Sequence, residues 1–301
     1  MERRTFKGFA YVLFAVIVWS GWMVASRFAI KGTLTSYDIT ALRFTVGGVA
    51  FLPVVLRKGL RIGPKGLWSG FLLSVLMGAP YTNIAVAGMA FAPASHASTI
   101  INGTVLVITT LAGIFILRES TSPLRLFGVA CSIAGIIFML AGKSDAGGAN
   151  QGFGHLLFII SGILWASYIL LIRAWKVGGL HAASVVCVFS MLIYMPFYLL
   201  FADSHIGMHN WHEVAFQGIY QGILTAVIAL SAFNIGVGIL GASRAGAIIP
   251  LVPVLSTLLA IPVLGEIPSL FEWVAVGTVS LGVLLASGVL SWRPLSREKV
   301  L

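Results

Sequence analysis

The sequence predicts an all-α membrane protein with ten transmembrane helices, arranged as two inverted five-helix repeats. An unusually apolar composition, ten long apolar runs and a set of recurring motifs predict this fold class. Of the 301 residues, 58% are hydrophobic and only 9% are charged, whereas soluble domains carry about 25% charged residues. So few charges do not cover a water-facing surface, and we therefore expect a lipid bilayer around most of the chain.

The excess of basic residues indicates topology rather than a nucleic-acid partner. Lys and Arg number 19 and Asp and Glu number 9, which gives a net charge of +10. In a soluble chain that excess would suggest nucleic-acid binding, but no soluble domain is present to carry a basic face. Cys131 and Cys187 lie within apolar runs, so we expect no disulfide framework.

Ten apolar runs are long enough to cross the bilayer, for which a helix needs about 20 residues. The segment 241–244, Gly-Ala-Ser-Arg, is expected to divide one long apolar stretch into spans eight and nine. The first run is too long for a signal peptide and is expected to stay as an uncleaved span. The predicted spans are 8–28, 36–56, 67–91, 95–117, 124–142, 154–172, 182–202, 214–240, 245–264 and 271–290.

Basic residues predict the orientation of these spans. With the N-terminus inside, all but four of the 19 Lys and Arg residues fall in cytoplasmic segments. The exceptions are Arg27, Lys31, Arg43 and Lys143. Because Lys and Arg collect in cytoplasmic loops, both termini are predicted to be cytoplasmic, in a bacterial-type inner membrane.

Several short motifs occur twice in the same order, roughly 150 residues apart. Each half holds five spans, so the second half is predicted to enter the membrane inverted, with repeats 1–145 and 146–301. Inverted repeats are typical of alternating-access transporters, whose substrate site lies near the midplane between the halves. A duplicated scaffold without transport activity is the alternative. The matching motifs are Trp19-x-x-Trp22-x4-Arg27 with Trp165-x-x-Tyr168-x4-Arg173, Asn83-Ile84 with Asn234-Ile235, Ala94-Ser95 with Ala242-Ser243, and Leu117-x-Glu119 with Leu264-x-Glu266.

The chain resembles the EamA-type drug/metabolite transporter superfamily over about residues 10–290. The motifs that carry the resemblance are Ala41-Leu42-Arg43-Phe44, the prolines of Ile248-Ile249-Pro250-Leu251-x-Pro253, and Leu264-Gly265-Glu266. Within the superfamily it looks closest to the YddG-type bacterial exporters of aromatic and other amino acids. The resemblance implies ten helices, a central cavity lined by helices 1, 3, 4, 6, 8 and 9, and export of small metabolites.

One position departs from the symmetry of the repeats. Span four carries Asn102-Gly103 where span nine carries Pro250. Because a proline removes one backbone hydrogen bond, its absence predicts that span four is straighter than span nine.

Aromatic residues deep within spans are the first candidates for substrate contacts. Trp19, Trp22, Trp165 and Tyr168 lie well inside spans one and six, away from the interfacial belts, and Tyr81 follows Pro80 in span three. Such rings stack on a substrate ring or a cationic amine, although core packing explains them equally well.

Polar residues within the bilayer are the second group of candidates, because burying them in lipid is costly. Ser95, Thr99, Asn102 and Thr109 share one narrow face of span four, which points either to the cavity or to a neighbouring helix. Asn83 and Asn234 suit a carboxylate or an amino group, or bond between helices. His96, at the outer end of span four, is a candidate for substrate binding or for a structural role. The predicted substrate-binding residues are thus Trp19, Trp22, Tyr81, Asn83, His96, Thr99, Asn102, Trp165, Tyr168 and Asn234.

Other functional classes find little support in the sequence. The HExxH and Gly-x-Ser-x-Gly motifs are absent, so we predict no enzyme, no metal and no cofactor. A channel would need a continuous polar pore. His205, His209 and His212 have a metal-like spacing, but their loop is expected to be solvated.

The predicted function is export of amino acids and related metabolites by a monomeric carrier; a multidrug or cationic-compound exporter and, more remotely, an intramembrane enzyme are the alternatives. Glu119 and Glu266 are expected to anchor helix ends, and no acid lies at midspan. We therefore expect uniport, or coupling through His96.

Overall fold

The computed structural model describes residues 2–32, 34–116, 118, 120–142, 147–208 and 211–287. Over these residues the chain is helical without strands, and each predicted span coincides with one apolar helix. Among the described residues, nine helices are long enough to cross a membrane, and the tenth is a shorter apolar helix of 17 residues. The helices are α1 Glu2–Lys31, α2 Ser36–Lys58, α3 Leu67–Gly88, α4 Ala94–Phe115, α5 Pro123–Ala141, α6 Gln151–Ala174, α7 Gly179–Phe201, α8 Trp211–Leu240, α9 Arg244–Leu264 and α10 Leu270–Ala286.

Glycine and proline interrupt several of the helices. α8 ends before Gly241, whose φ of 84° suits a residue without a side chain. α9 is interrupted by a turn at 247–250 that ends at Pro250, whereas α4 is continuous, as its missing proline predicts. α3 is broken at Gly78, two residues before Pro80. α8 is π-helical between Ile219 and Ala229.

Side chains cap helix ends where the bilayer supplies no water. Thr35 and Asp38 form a capping box at the start of α2, and Ser269 and Glu272 form a second one at the start of α10. Each box satisfies backbone N–H groups that would otherwise be unpaired at the first turn.

The two halves pack in a pseudo-symmetric way. α2 pairs with α7 and α5 pairs with α10, each helix meeting its equivalent in the other half. Most of the other contacts between the halves come in exchanged pairs: α4–α6 with α9–α1, α1–α8 with α6–α3, and α2–α8 with α7–α3. α4 also contacts α9, its equivalent, and α10. This pattern is the one that two inverted repeats require. The predicted boundary at residues 145 and 146 lies outside the described residues.

The outer surface is apolar. Leu199, Leu200 and Phe201 are each 74% exposed, and many other large hydrophobic side chains also point outwards. Soluble monomers rarely expose apolar patches of this kind, so lipid is the solvent for this surface.

The contact between α5 and α10 is so close that it depends on glycine. A Cβ atom on Gly282 would lie 2.5 Å from the carbonyl oxygen of Gly128 and would also collide with Ser132. Backbone is therefore packed against backbone, as small residues allow in membrane bundles.

We expect Gly282→Val to lower the stability of the protein by about 1–3 kcal/mol, because the added side chain must push α5 and α10 apart. Thermal unfolding in detergent measures the effect. Gly277→Val is the matched control on the same helix, since a Cβ there meets no atom within 4 Å. Equal melting temperatures of the two variants would contradict the close contact.

Candidate functional site

Three of the predicted residues meet in one group of rings, which we call the aromatic cluster: Trp22 of α1, Tyr81 of α3 and Trp165 of α6. The rings of Trp22 and Tyr81 stack at 6.4 Å with an interplanar angle of 17°. Tyr81 meets Trp165 edge-on at 6.2 Å. Trp22 and Tyr81 are buried and Trp165 is half-buried, so the rings of Trp22 and Tyr81 are shielded from lipid.

The aromatic cluster lies at mid-depth in the bundle. At the helical rise of 1.5 Å per residue, Trp22 is about 13 Å from Lys31 and Trp165 is about 21 Å from Gln151. The hydrocarbon core of a bilayer is about 30 Å thick. The rings therefore lie far from both interfaces, where aromatic belts occur.

A buried chain of amides fixes one ring of the aromatic cluster. The Trp22 Nε1–H group donates to Oε1 of Gln221 at 2.5 Å. Gln221 donates in turn to Ser26 Oγ at 3.0 Å and to Gln217 Oε1 at 3.1 Å, and Gln217 donates to the Ala25 carbonyl. Two glutamines four residues apart in an apolar run were the available signal, and sequence reasoning missed them.

Arg43 of α2 is the second residue that sequence reasoning missed. Its Cζ atom lies 5.2 Å from the centre of the Trp22 ring and 5.9 Å from that of Phe44. Its Nε and Nη1 atoms are buried without a hydrogen-bond partner. Arg43, predicted to lie with the outer basic residues, is about 10 Å into its span at 1.5 Å per residue. A basic residue so far inside an apolar span is costly to bury, and its position in the sequence was therefore a signal for a functional residue.

Two other predicted aromatic residues lie beside the aromatic cluster in separate contacts. Tyr168, one turn beyond Trp165, packs in a hydrophobic core with Phe44 and Cys187. The ring of Trp19 lies 5.1 Å from that of Phe233 of α8. Both contacts fit core packing, which the sequence allowed as the alternative to a substrate contact.

The polar face of α4 bonds largely to its own helix. Thr99 donates to the carbonyl of Ser95, and Asn102 donates to the carbonyl of Ser98, each at 2.7 Å. Both side chains are buried, and α4 packs against α1, α5, α6, α9 and α10. Their donor groups are therefore satisfied without a ligand.

The two predicted asparagines lie apart from the aromatic cluster. Asn83 donates to the Tyr194 hydroxyl at 3.1 Å and accepts from Ser36 at 3.3 Å, so it joins α3 to α7 and α2. Asn234 is exposed on α8 and faces Gly179 at the start of α7. The geometry of Asn83 is that of a bond between helices.

His96 joins three helices at one end of the bundle. Its Nε2 atom lies 2.6 Å from Oε1 of Glu272 in α10, and its Nδ1 atom lies 2.8 Å from Nε2 of His155 in α6. The ring is fully buried. Both ring nitrogens are thus engaged by protein groups.

A buried ion pair lies at the same end. Arg27 Nε lies 2.7 Å from Glu266 Oε1, and both side chains are buried. Arg27 also donates to the Met89 carbonyl, and Glu266 Oε2 accepts from the Ala94 N–H at 3.1 Å. The predicted role of Glu266 as a helix-end anchor is confirmed, while its repeat mate Glu119 lies outside the described residues.

This end of the bundle, where α1, α3, α7 and α9 finish, is called the closed end. A third buried group there is Asp38, which accepts from the Tyr198 hydroxyl at 2.6 Å. Along α4, every residue from Ala94 to Thr104 is buried, but farther on only Thr110 and Gly113 are. Polar networks and packing are thus concentrated at the closed end.

The histidine-rich loop after α7 gives no metal site in the described part of the chain. His205 lies 3.5 Å from the exposed Asp203, and among the described residues no group of three His, Cys, Asp or Glu could hold a metal. His209 lies outside the described residues.

Two cavities open sideways towards lipid, away from the aromatic cluster. One of about 500 Å³ lies between α1 and α8 and is lined by Lys7, Tyr11 and Ile228 among others. The other, of about 210 Å³, lies between α3 and α7 beside Pro80 and Tyr194. Their apolar rims are typical of clefts filled by lipid chains.

Comparisons with known proteins agree on a transporter family. The model of the EamA-like transporter family matches residues 6–141 and 152–288, one match in each half. An uncharacterized transporter of Archaeoglobus fulgidus is 24% identical over 91% of this chain and 93% of its own length. The uncharacterized inner membrane transporter YedA of Escherichia coli is 22% identical over 91% of this chain and 89% of its own length. A protein of known crystal structure, 22% identical, shares the fold with a TM-score of 0.61 over 95% of this chain and 96% of its own.

Proposed function

Because the chain belongs to the EamA-like transporter family, we propose that it exports amino acids, aromatic ones among them, and related small metabolites. The chain is a multi-pass membrane protein, and its relatives are named transporters rather than enzymes. The finer proposal places the substrate at the aromatic cluster, in a monomer of the inner membrane that resembles the YddG-type exporters.

The observation that carries this proposal is the convergence of both halves on the aromatic cluster. α1 and α3 come from the first repeat, α6 comes from the second, and α8 of the second repeat holds Trp22 through Gln221. A site between inverted repeats at mid-depth is where such transporters bind their substrates. Rings at that depth suit the side chain of an aromatic amino acid.

The uneven ends of the bundle support a proposal of alternating access. The Arg27–Glu266, His96–Glu272 and Asp38–Tyr198 contacts hold the closed end. If the basic residues mark the cytoplasm, the closed end faces outwards and the termini lie inside. Exchange between states then needs bending points, and the breaks at Gly78 in α3 and at the turn before Pro250 in α9 are the proposed ones.

A second candidate substrate is a flat cationic drug, which the stacked rings of the aromatic cluster favour through cation–π attraction. The guanidinium of Arg43 beside Trp22 opposes it, because like charges repel strongly where water is excluded. Amino acids are therefore the preferred class.

A competition assay with the purified protein in liposomes tests the proposal. Aromatic amino acids are expected to inhibit uptake of labelled phenylalanine, whereas amphipathic cations are expected to compete weakly. An imposed pH gradient is expected to leave steady-state accumulation unchanged, since no acid lies at midspan and both nitrogens of His96 are engaged. Stronger competition by cations would favour the drug exporter, and accumulation driven by the gradient would overturn uniport.

A further inference from the structure

We propose that Arg43 is the anion-binding group of the substrate site and takes the carboxylate of the transported molecule. This inference rests on the proposed function, since it assumes that substrate reaches the aromatic cluster. It also narrows that function to substrates that carry a carboxylate.

The first support is the unsatisfied state of the guanidinium. Arg43 Nε and Nη1 are buried with no hydrogen-bond partner. Buried polar groups in folded proteins are nearly always paired, and each exception calls for an explanation. A ligand that is present only during transport explains why these two nitrogen atoms lack a partner in the protein.

The second support is the contrast with the buried acids of the described chain. Glu266 is paired with Arg27, Glu272 with His96, and Asp38 with the Tyr198 hydroxyl. All three lie at the closed end, whereas Arg43 lies deeper, beside Trp22. These three buried acids are therefore each paired, whereas Arg43 has aromatic neighbours.

The third support is position. Arg43 lies over the ring of Trp22, whose other neighbour in the aromatic cluster is Tyr81. A carboxylate bound at Arg43 would place the rest of the molecule against these rings. The group that binds the charge and the rings that bind the side chain would then be adjacent. An aromatic amino acid requires this arrangement, because its α-carboxylate and its ring are close together.

The chemistry of the guanidinium selects the ligand class. Its planar fork presents parallel N–H groups that match the two oxygens of a carboxylate. The Trp22 ring supplies a cation–π contact that holds the empty guanidinium in place. A lysine would keep the charge but would lose the fork.

The test compares carboxylates with their amides in liposomes that contain the full-length protein. The matched pairs are L-phenylalanine with L-phenylalaninamide, and indole-3-acetate with indole-3-acetamide. In the wild type, each carboxylate is expected to inhibit the uptake of labelled phenylalanine by half at about one-tenth of the concentration that its amide requires. A charge-assisted hydrogen bond predicts a difference of this size. Arg43→Gln is expected to abolish that preference, and Arg43→Lys is expected to retain part of it.

Arg125→Gln is the matched control. Arg125 also has a buried Nε atom without a partner, but it lies in the first turn of α5, away from the aromatic cluster. It is expected to keep the full preference for carboxylates. Size-exclusion profiles and melting temperatures check that each variant folds, and the Arg43→Lys variant tests the preference if Arg43→Gln does not fold.

The outcomes separate this inference from the proposed function. If wild-type protein transports phenylalanine but prefers no carboxylate, the role of Arg43 is overturned while amino-acid export stands. If labelled phenylalanine is not taken up but labelled indole-3-acetate is, and Arg43→Gln removes that uptake, the amino-acid proposal fails and the role of Arg43 stands. Equal loss for carboxylate and amide in Arg43→Gln would indicate a structural role and overturn the inference. Stronger inhibition by phosphate esters than by carboxylates would overturn the assigned ligand class.

Discussion

Glu266→Gln is expected to loosen the closed end of the bundle and to destabilise the protein by about 3–5 kcal/mol, the cost of leaving one member of a buried ion pair uncompensated. Arg27 would keep its charge in a site that is 4% exposed. The Ala94 N–H at the start of α4 would lose its charged acceptor. The measurements are thermal unfolding in detergent and thiol labelling of a cysteine placed at the buried Ala97.

The double variant Arg27→Met/Glu266→Gln separates the cost of an unpaired charge from the value of the pair. Because a buried ion pair replaced as a unit is often close to neutral, the double variant is expected to recover most of the stability. Asp203→Asn is the matched single control at the same end, since Asp203 is 92% exposed and exposed pairs contribute about 1 kcal/mol or less. Melting and labelling of Glu266→Gln that match those of Asp203→Asn would contradict the role of the buried pair.

The fold could be predicted from the sequence because membrane spans are a local property. A run of about 20 apolar residues is enough to predict a transmembrane helix. Gly241 likewise predicts the break between α8 and α9, and neither prediction needs the residues that pack against that segment. The straight α4 and the interrupted α9 likewise follow from the single difference between Asn102 and Pro250.

The site could be predicted only in part, because its polar contacts join distant segments. Depth within the spans singled out Trp22, Tyr81 and Trp165, whose rings meet in the aromatic cluster. Hydroxyl and amide residues were a poor guide, since Thr99 and Asn102 bond to carbonyls of their own helix. A helical periodicity gives the face of such a side chain but not its hydrogen-bond partner.

Arg43 and Arg27 show how two similar signals diverge. Both are basic residues inside apolar runs, but Arg27 meets Glu266, 239 positions away, whereas Arg43 has no acidic partner among the described ion pairs. Arg27 has an acidic partner because α1 packs against α9, and the sequence alone does not show that packing. A count of basic residues therefore does not distinguish the paired Arg27 from Arg43, which lies deeper in its span.

Trp165→Ala is expected to reduce the transport of aromatic amino acids by about tenfold, because a stacked aromatic contact contributes about 0.5–1.5 kcal/mol beyond the burial of the ring. The ring of Trp165 closes the aromatic cluster against Tyr81, and its half-buried position leaves a face for a substrate ring. Small aliphatic amino acids should lose less, since they stack on no ring. Initial uptake rates in liposomes, measured at several concentrations, separate a change in KM from a change in the maximal rate.

Trp68→Ala is the matched control for this substitution. Trp68 is 72% exposed near the start of α3 and meets Phe71 edge-on at 5.7 Å, so its loss removes a lipid-facing ring of the same size. Trp165→Phe keeps a ring at the site and is expected to retain more activity than Trp165→Ala. If Trp165→Ala and Trp68→Ala transport phenylalanine with equal kinetics at equal expression, the substrate does not bind at the aromatic cluster. A uniform loss for aromatic and aliphatic substrates would instead place Trp165 in the packing between the two halves, because only direct stacking distinguishes the two kinds of side chain.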